Sequence, residues 1–211
     1  RVTPVFPEEA SMTLTTPPAD RLTSPERWHR EICWVHGRLI VTGDLDEDVL
    51  AAIRQLRDWV AAGVTHIVDV GDLVAEYAPD VAYIWAGTHD AGGDQPDDWF
   101  GAVLDRLGDA VHDPDAVILV HCHMGVNRGP SMALRIMLEQ GWDPVDALVD
   151  LRDARPIANV EYAEAAVRHF HNAYDSLLEE MILDLRRVRD WREDNPLDLG
   201  WIISRISEVT R

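Results

Sequence analysis

Lysine is missing from this chain altogether: all 19 of its basic residues are arginines. Cysteine is nearly missing too, with only Cys33 and Cys122 among 211 residues. Two thiols exclude a disulfide framework and suit a reducing cytoplasm. No run of 18 apolar residues and no hydrophobic signal core is visible, so neither a membrane span nor a secretory leader is expected. The chain begins at Arg1 rather than methionine, with Met12 a candidate start. Positive charge is scarce. The formal net charge is −19, and between Thr42 and Ala116 there are 17 acidic residues against three arginines. Such a surface repels nucleic acid and anionic membrane, and neither is expected as a partner. Internal repeats are absent. A lysine-free chain rich in Ala, Asp, Val and Gly fits a GC-rich bacterial genome.

What is present describes a soluble α/β domain with extensions. A hydrophobic content of 46% with 27% charged residues is ordinary for a globular protein, and the length suffices for a real core. Residues 1–30 hold five of the 12 prolines and few large apolar side chains, which predicts a flexible arm, ordered at most near Trp28. Residues 31–35 and 38–41 flank His36-Gly37 as a hairpin. A helix follows Asp44-Leu45-Asp46, with Val49, Ile53, Leu56 and Val60 on its apolar face and Gly63 as its stop. Strands are predicted over 65–70 and 81–86, and an amphipathic helix through Phe100, Val103, Leu104, Leu107 and Val111. Asp143-Pro144 starts another helix. Asn159 is the expected cap for the apolar series from Ala163 to Leu185, read as one long helix or two. After Asn195-Pro196, residues 199–206 form a last helix that packs back or meets a partner. Alternating strands and helices imply a mostly parallel central sheet flanked by helices, with ligands at the strands' C-terminal ends.

The chain is organised around residues 116–131. Val117 to Val120 is an apolar run of the kind that is buried on both faces of a sheet. His121 and Cys122 close it, Arg128 follows, and Gly129-Pro130 opens a buried helix through Leu138. A loop of about six residues entering a helix N-terminus turns several amides toward one point, an anion cradle. Gly125 permits a conformation that a Cβ would hinder, and Arg128 offers a fork for two phosphate oxygens. The same amides favour a thiolate, so a lowered pKa is expected at Cys122. A reactive cysteine beneath a phosphate cradle is equipped for nucleophilic attack on phosphorus. A metal site is not expected, because His121, Cys122 and His123 are consecutive and cannot easily converge on one ion.

His121-Cys122-x5-Arg128, with its preceding strand and following helix, resembles the signature loop of the cysteine-based protein tyrosine phosphatases, in their small dual-specificity branch. The resemblance spans roughly residues 31 to 173. It implies a protein tyrosine phosphatase-like sheet, a catalytic domain over 31–175 and a helical C-terminal extension over 176–211. It implies Cys122 as nucleophile, residues His123, Met124, Gly125, Val126, Asn127 and Arg128 as phosphate loop, and His121 as a support that orients the cysteine. His123 is placed to touch substrate. Asp90 resembles the family's general acid, lying 32 residues before Cys122 and nine before Trp99, with Gly92-Gly93 as a hinge and Asp94 as competitor. Arg155-Pro156-Ile157-Ala158-Asn159 resembles the family's Arg-Pro-rich turn, a structural element. Where the family usually places Ser or Thr after the arginine, to help the thiolate leave phosphocysteine, this chain has Gly129. Ser131 is the candidate to swing in and replace that hydroxyl.

The resemblance therefore implies a cytoplasmic, metal-independent and cofactor-free phosphomonoester hydrolase. It would act on phosphotyrosine, and on phosphoserine or phosphothreonine, in a phosphorylated protein. The alternatives are a small-molecule phosphatase acting on sugar or nucleotide phosphates, and, because of Gly129, a phosphate-binding pseudophosphatase. Acidity argues against polyphosphorylated lipid and RNA-end substrates, and the sequence leaves the oligomeric state open.

Overall fold

Residues 24–71, 81–92, 95 and 97–210 are described by the computed structural model. Cys33–His36 (β1) and Leu39–Thr42 (β2) form the expected antiparallel hairpin. His66–Asp69 (β3), Ala82–Trp85 (β4) and Ile118–His121 (β5) continue the sheet in the order β1-β2-β5-β3-β4, each parallel to its neighbours from β2 onward. The apolar run predicted to be central is central: β5 lies between β2 and β3, and all four of its residues are buried.

Alternation along the strands sorts the core into two faces. Leu39, Val41, Ile118 and Val120 join the larger cluster, while Ile40, Ile67 and Leu119 point the other way. The second face is covered by Val49–Ala61 (α2), capped by Asp48, whose side chain accepts from the Ala51 amide. Its buried face differs from the expected one. Ala52, Leu56 and Trp59 are buried, whereas Val49 and Val60 are about half exposed. Trp59 has the largest apolar surface to hide, so it sets the helix rotation and packs with Ile40, Val64, Ile67 and Leu119.

The first face carries Asp97–Leu107 (α3), Arg128–Glu139 (α4), Pro144–Ala154 (α5) and Ala163–Ala173 (α6). Helix α4 is buried along nearly its whole length, from Arg128 to Leu138. Asp143 caps α5 by accepting from the amides of Val145 and Asp146. The long apolar series of the C-terminal third resolves into two helices. It breaks at Asp175, which has a positive φ of 47°, and resumes as Leu178–Asp194 (α7). Val188 anchors α7 in the main core, and Arg187 binds the two Asp143 oxygens at 2.8 Å each. Leu199–Val209 (α8) packs back rather than projecting: Ile202 and Ile206 are buried against Val126 and Ile157, with Trp28 alongside. Pro25–Trp28 (α1) meets α8, where Glu26 pairs with Arg205 at 3.1 Å. No helix among the described residues is long and apolar enough to cross a membrane.

Candidate active site

Each parallel strand delivers polar residues to the same end of the sheet. Asp44 follows β2, Asp69 ends β3, Asp90 follows β4, and Cys122 follows β5. The loop after β5 runs into the N-terminus of α4. Cys122 is buried at 2% exposure, with the amides of Gly125 and Gly129 hydrogen-bonded to its sulfur. Gly125 has φ +63°, and a Cβ there would lie 2.3 Å from Arg155 Nη2 and 2.6 Å from the Thr42 carbonyl. Only glycine fits. Gly129 is different: its φ is not positive, and a Cβ would meet Cys122 Sγ at 3.5 Å, an ordinary contact.

The charge state of the sulfur departs from the sequence expectation. Burial pushes the Cys122 thiol up and outweighs Arg128 and the two amides, which pull it down; the Asp90 carboxylate adds a further push upward. The cations and amides are visible in the sequence, but the complete desolvation is not. Arg128 is itself buried at 3% exposure and divides its guanidinium, giving Nη1 to the Thr88 carbonyl at 2.5 Å while Nε lies 3.8 Å from Asp90 Oδ2.

Asp90 therefore comes to the mouth of the loop. Tyr162 donates its phenol to Oδ1 at 2.6 Å, and Asn127 Nδ2 bonds both carboxylate oxygens at 3.3 and 3.2 Å. Gly92, with φ +73°, follows it, while Gly93 and the competing Asp94 lie outside the described residues. A cleft of about 660 Å³ is lined by His89, Asp90 and Ala91, by His123, Met124 and Val126 to Arg128, and by Ile203 of α8.

His121 does not bond to the cysteine. Its ring packs 5.6 Å from that of Trp59, its Nε2 is 3.9 Å from Asp69 Oδ2, and neither ring nitrogen has a hydrogen-bond partner among the described residues. Burial lowers its pKa, favouring the neutral ring. His123 lines the cleft with half its side chain exposed, and its Nδ1 meets Asp44 Oδ2 at 2.6 Å. Ser131 is committed elsewhere. Its hydroxyl donates to the Asn127 carbonyl at 2.7 Å and accepts from the Tyr162 amide at 3.1 Å, so it holds the start of α4 instead of standing in for the missing hydroxyl. Asn159 does not cap α6. Its Nδ2 donates to Asn127 Oδ1 and Glu161 Oε2, and Tyr162 occupies the cap position without a side-chain bond.

Several residues of the site escape a reading of the sequence. His29 Nε2 reaches both Asp44 Oδ1 and the His123 carbonyl at 3.0 Å. Asp69 is 2% exposed, with its carboxylate held by Tyr83 at 2.5 Å and by the Gly71 amide at 2.8 Å. An aspartate closing the short strand His66–Asp69 was a signal available for Asp69; Tyr162, at the cap of α6, and Ile203, within α8, give none. Arg155, read as structural, binds the carbonyls of Met124 and Gly125. Among the described residues no group of His, Cys, Asp or Glu is arranged to hold a metal ion.

No protein-family model and no curated protein sequence matches the chain. Solved structures do. Human DUSP28 superposes with a TM-score of 0.56 at 19% identity, over 68% of this chain and 95% of that one. A mouse putative dual specificity phosphatase, solved with zinc tungstate, gives 0.56 at 18% identity, over 79% of this chain and 96% of that one. PTPMT1 gives 0.52 at 15% identity, over 69% and 100%. The chain thus has the protein tyrosine phosphatase fold in its dual-specificity form.

Proposed function

We propose that the protein is a phosphomonoester hydrolase that works through a phosphocysteine intermediate. Its substrates would be phosphotyrosine, and secondarily phosphoserine or phosphothreonine, in proteins. The observation that carries this is a buried sulfur held by two amides beside an arginine, with a carboxyl group 3.8 Å from that arginine, the arginine and carboxyl group both lining one cleft.

In the first step the Cys122 thiol gives its proton to an oxygen of the entering phosphate dianion, and the resulting thiolate attacks phosphorus. The S–P bond forms, the ester P–O bond breaks with its electron pair on oxygen, and Asp90 gives that oxygen a proton. Arg128 and the loop amides hold the equatorial oxygens as charge develops. In the second step the Asp90 carboxylate takes a proton from water, whose oxygen attacks phosphorus. The S–P bond breaks and the thiolate returns.

The deciding experiment is phosphate release from p-nitrophenyl phosphate. Native protein should turn over with EDTA present and be inhibited by tungstate, and Cys122→Ser should abolish turnover while still binding phosphate. Full activity in Cys122→Ser would overturn the reading. Two observations favour a second reading, a phosphate-binding pseudophosphatase: the thiol is held up by burial, and no hydroxyl stands beside Arg128 at position 129. Phosphate binding without any turnover by the native protein would select it. Comparing phosphotyrosine, phosphoserine and phosphothreonine peptides with sugar and nucleotide phosphates then tests the substrate class. A sugar or nucleotide phosphate with the highest kcat/KM would displace the protein substrate.

A further inference from the structure

Asp90 has two carboxyl oxygens, and only one of them can usefully carry the proton that a leaving group needs. Oδ2 is the oxygen near Arg128, 3.8 Å from its Nε, and so faces the phosphate position. Oδ1 accepts the Tyr162 phenol at 2.6 Å. With Tyr162 donating, a proton on Oδ1 would oppose the phenolic hydrogen, donor against donor. Oδ1 thus faces two donors, the phenol and the Asn127 amide at 3.3 Å, whereas Oδ2 faces only the same amide at 3.2 Å, so the proton is favoured on Oδ2. We propose that Tyr162 is a positioning residue for the acid step, fixing the Asp90 carboxyl so that its proton sits on the oxygen turned toward the substrate. This rests on the hydrolase reading above.

Three further observations support the role. Tyr162 is a rigid platform: it is 1% exposed, its ring packs edge-on against Trp99 at 6.3 Å, and its amide is tied through Ser131 to the Asn127 carbonyl. The phenol remains a donor at working pH, because burial and then its bond to Asp90 push it up to about 12. Asn127 bridges both carboxylate oxygens and is fixed in turn by a chain of Asn159, Glu161 and Arg192 through bonds of 3.1, 2.8 and 3.0 Å. Helix α7 is thereby connected to the acid through side chains alone. The hydroxyl is the feature that packing does not require, since phenylalanine would fill the same volume.

The test compares p-nitrophenyl phosphate, whose leaving oxygen needs little proton assistance, with phenyl phosphate, whose oxygen needs it. Tyr162→Phe in the full chain should lower kcat/KM, which reports the first step whichever step limits turnover, about ten-fold for phenyl phosphate and far less for p-nitrophenyl phosphate. In an Asp90→Asn background, where the acid is already lost, Tyr162→Phe should cost nothing more. A general packing defect would slow both substrates equally and would add to Asp90→Asn. Either of those results, or native kcat/KM for phenyl phosphate in Tyr162→Phe, overturns the positioning role alone. A native protein that hydrolyses neither substrate overturns the hydrolase reading and the role with it.

Discussion

Arg155 donates its Nε–H to the carbonyl of Gly125 across 2.6 Å, and the same guanidinium leaves no space for a Cβ on that glycine. The arginine is fully buried and also binds the carbonyls of Met124, His29 and Glu31, at 3.0, 3.1 and 3.3 Å. It joins the segment before β1 to the underside of the phosphate loop. Removing it strands several buried carbonyls at roughly 1–3 kcal/mol apiece. Arg155→Met is therefore expected to lose about 3 kcal/mol or more of unfolding free energy, read from urea midpoints, and to lose phosphate binding. Gly125→Ala should fail in the same direction, since the Thr42 carbonyl at 2.6 Å is backbone and cannot rotate away. An unshifted midpoint in Arg155→Met would show that water replaces those bonds.

Asp44 gives the site a stability that depends on acid. Burial pushes its carboxyl up, but hydrogen bonds from His123 and His29, and their charge, outweigh it and bring the pKa from 3.8 down to about 2. A folded-state pKa that is depressed contributes stability above the unfolded value and loses it as pH falls through the folded one. The contribution is thus intact above about pH 5 and vanishes between about pH 4 and pH 2. Asp44→Asn should lower the unfolding midpoint at pH 6, and the gap from the native protein should close by pH 2. A constant gap across that range would remove Asp44 from the pH response.

How much of this was legible in the chain depends on distance along it. Cys122, Arg128 and the flanking strand and helix are contiguous, so the cradle could be read from one stretch of chain, while Asp90 was reached only through the resemblance to a family interval. The contacts that organise these residues span far more chain: 72 positions from Asp90 to Tyr162, 94 from His29 to the His123 carbonyl, and 126 from His29 to Arg155. Hydrogen-bonding side chains of that kind leave no periodic trace. The rotation of α2 was misread because Val49, Ile53, Leu56 and Val60 keep helical spacing, yet the single large ring of Trp59 decides which face is buried. The thiol at Cys122 was misread because charge is written in the sequence and desolvation is not.

Gly129 bears on the second chemical step. A Cβ would lie 3.5 Å from Cys122 Sγ and the glycine is not in the left-handed region, so serine fits and would set a hydroxyl beside the sulfur. Native protein mixed rapidly with p-nitrophenyl phosphate is expected to release a burst near one equivalent, followed by a slow steady rate. Gly129→Ser should shrink the burst and raise the steady rate about ten-fold, roughly 1.4 kcal/mol off the second barrier. Ser131→Ala should leave the ratio of burst to steady rate unchanged, because that hydroxyl already serves the Asn127 carbonyl and the Tyr162 amide. If native protein shows no burst and well-folded Gly129→Ser is no faster, the glycine does not limit turnover.

Helix α8 divides its work between neighbouring positions. Ile202 and Ile206 are one helical turn apart, and both are buried against Val126 and Ile157, so they anchor the helix to the phosphate loop. Ile203 is rotated by one residue, is 41% exposed and lines the cleft with Asp90 and Arg128. Truncating an anchor removes packed core, and Ile202→Ala should cost about 2–5 kcal/mol of stability. Truncating the cleft residue removes contact with substrate only. Ile203→Ala should unfold within about 0.5 kcal/mol of the native protein. It should nevertheless raise KM for aryl phosphates several-fold while leaving kcat nearly unchanged. Ile203→Glu should raise KM further, since it adds a negative charge where a phosphate dianion must enter. High salt should recover part of that loss by screening, and should leave the Ile203→Ala value where it was. Equal KM values in the native protein, Ile203→Ala and Ile203→Glu would mean that substrate enters by a path that does not touch α8.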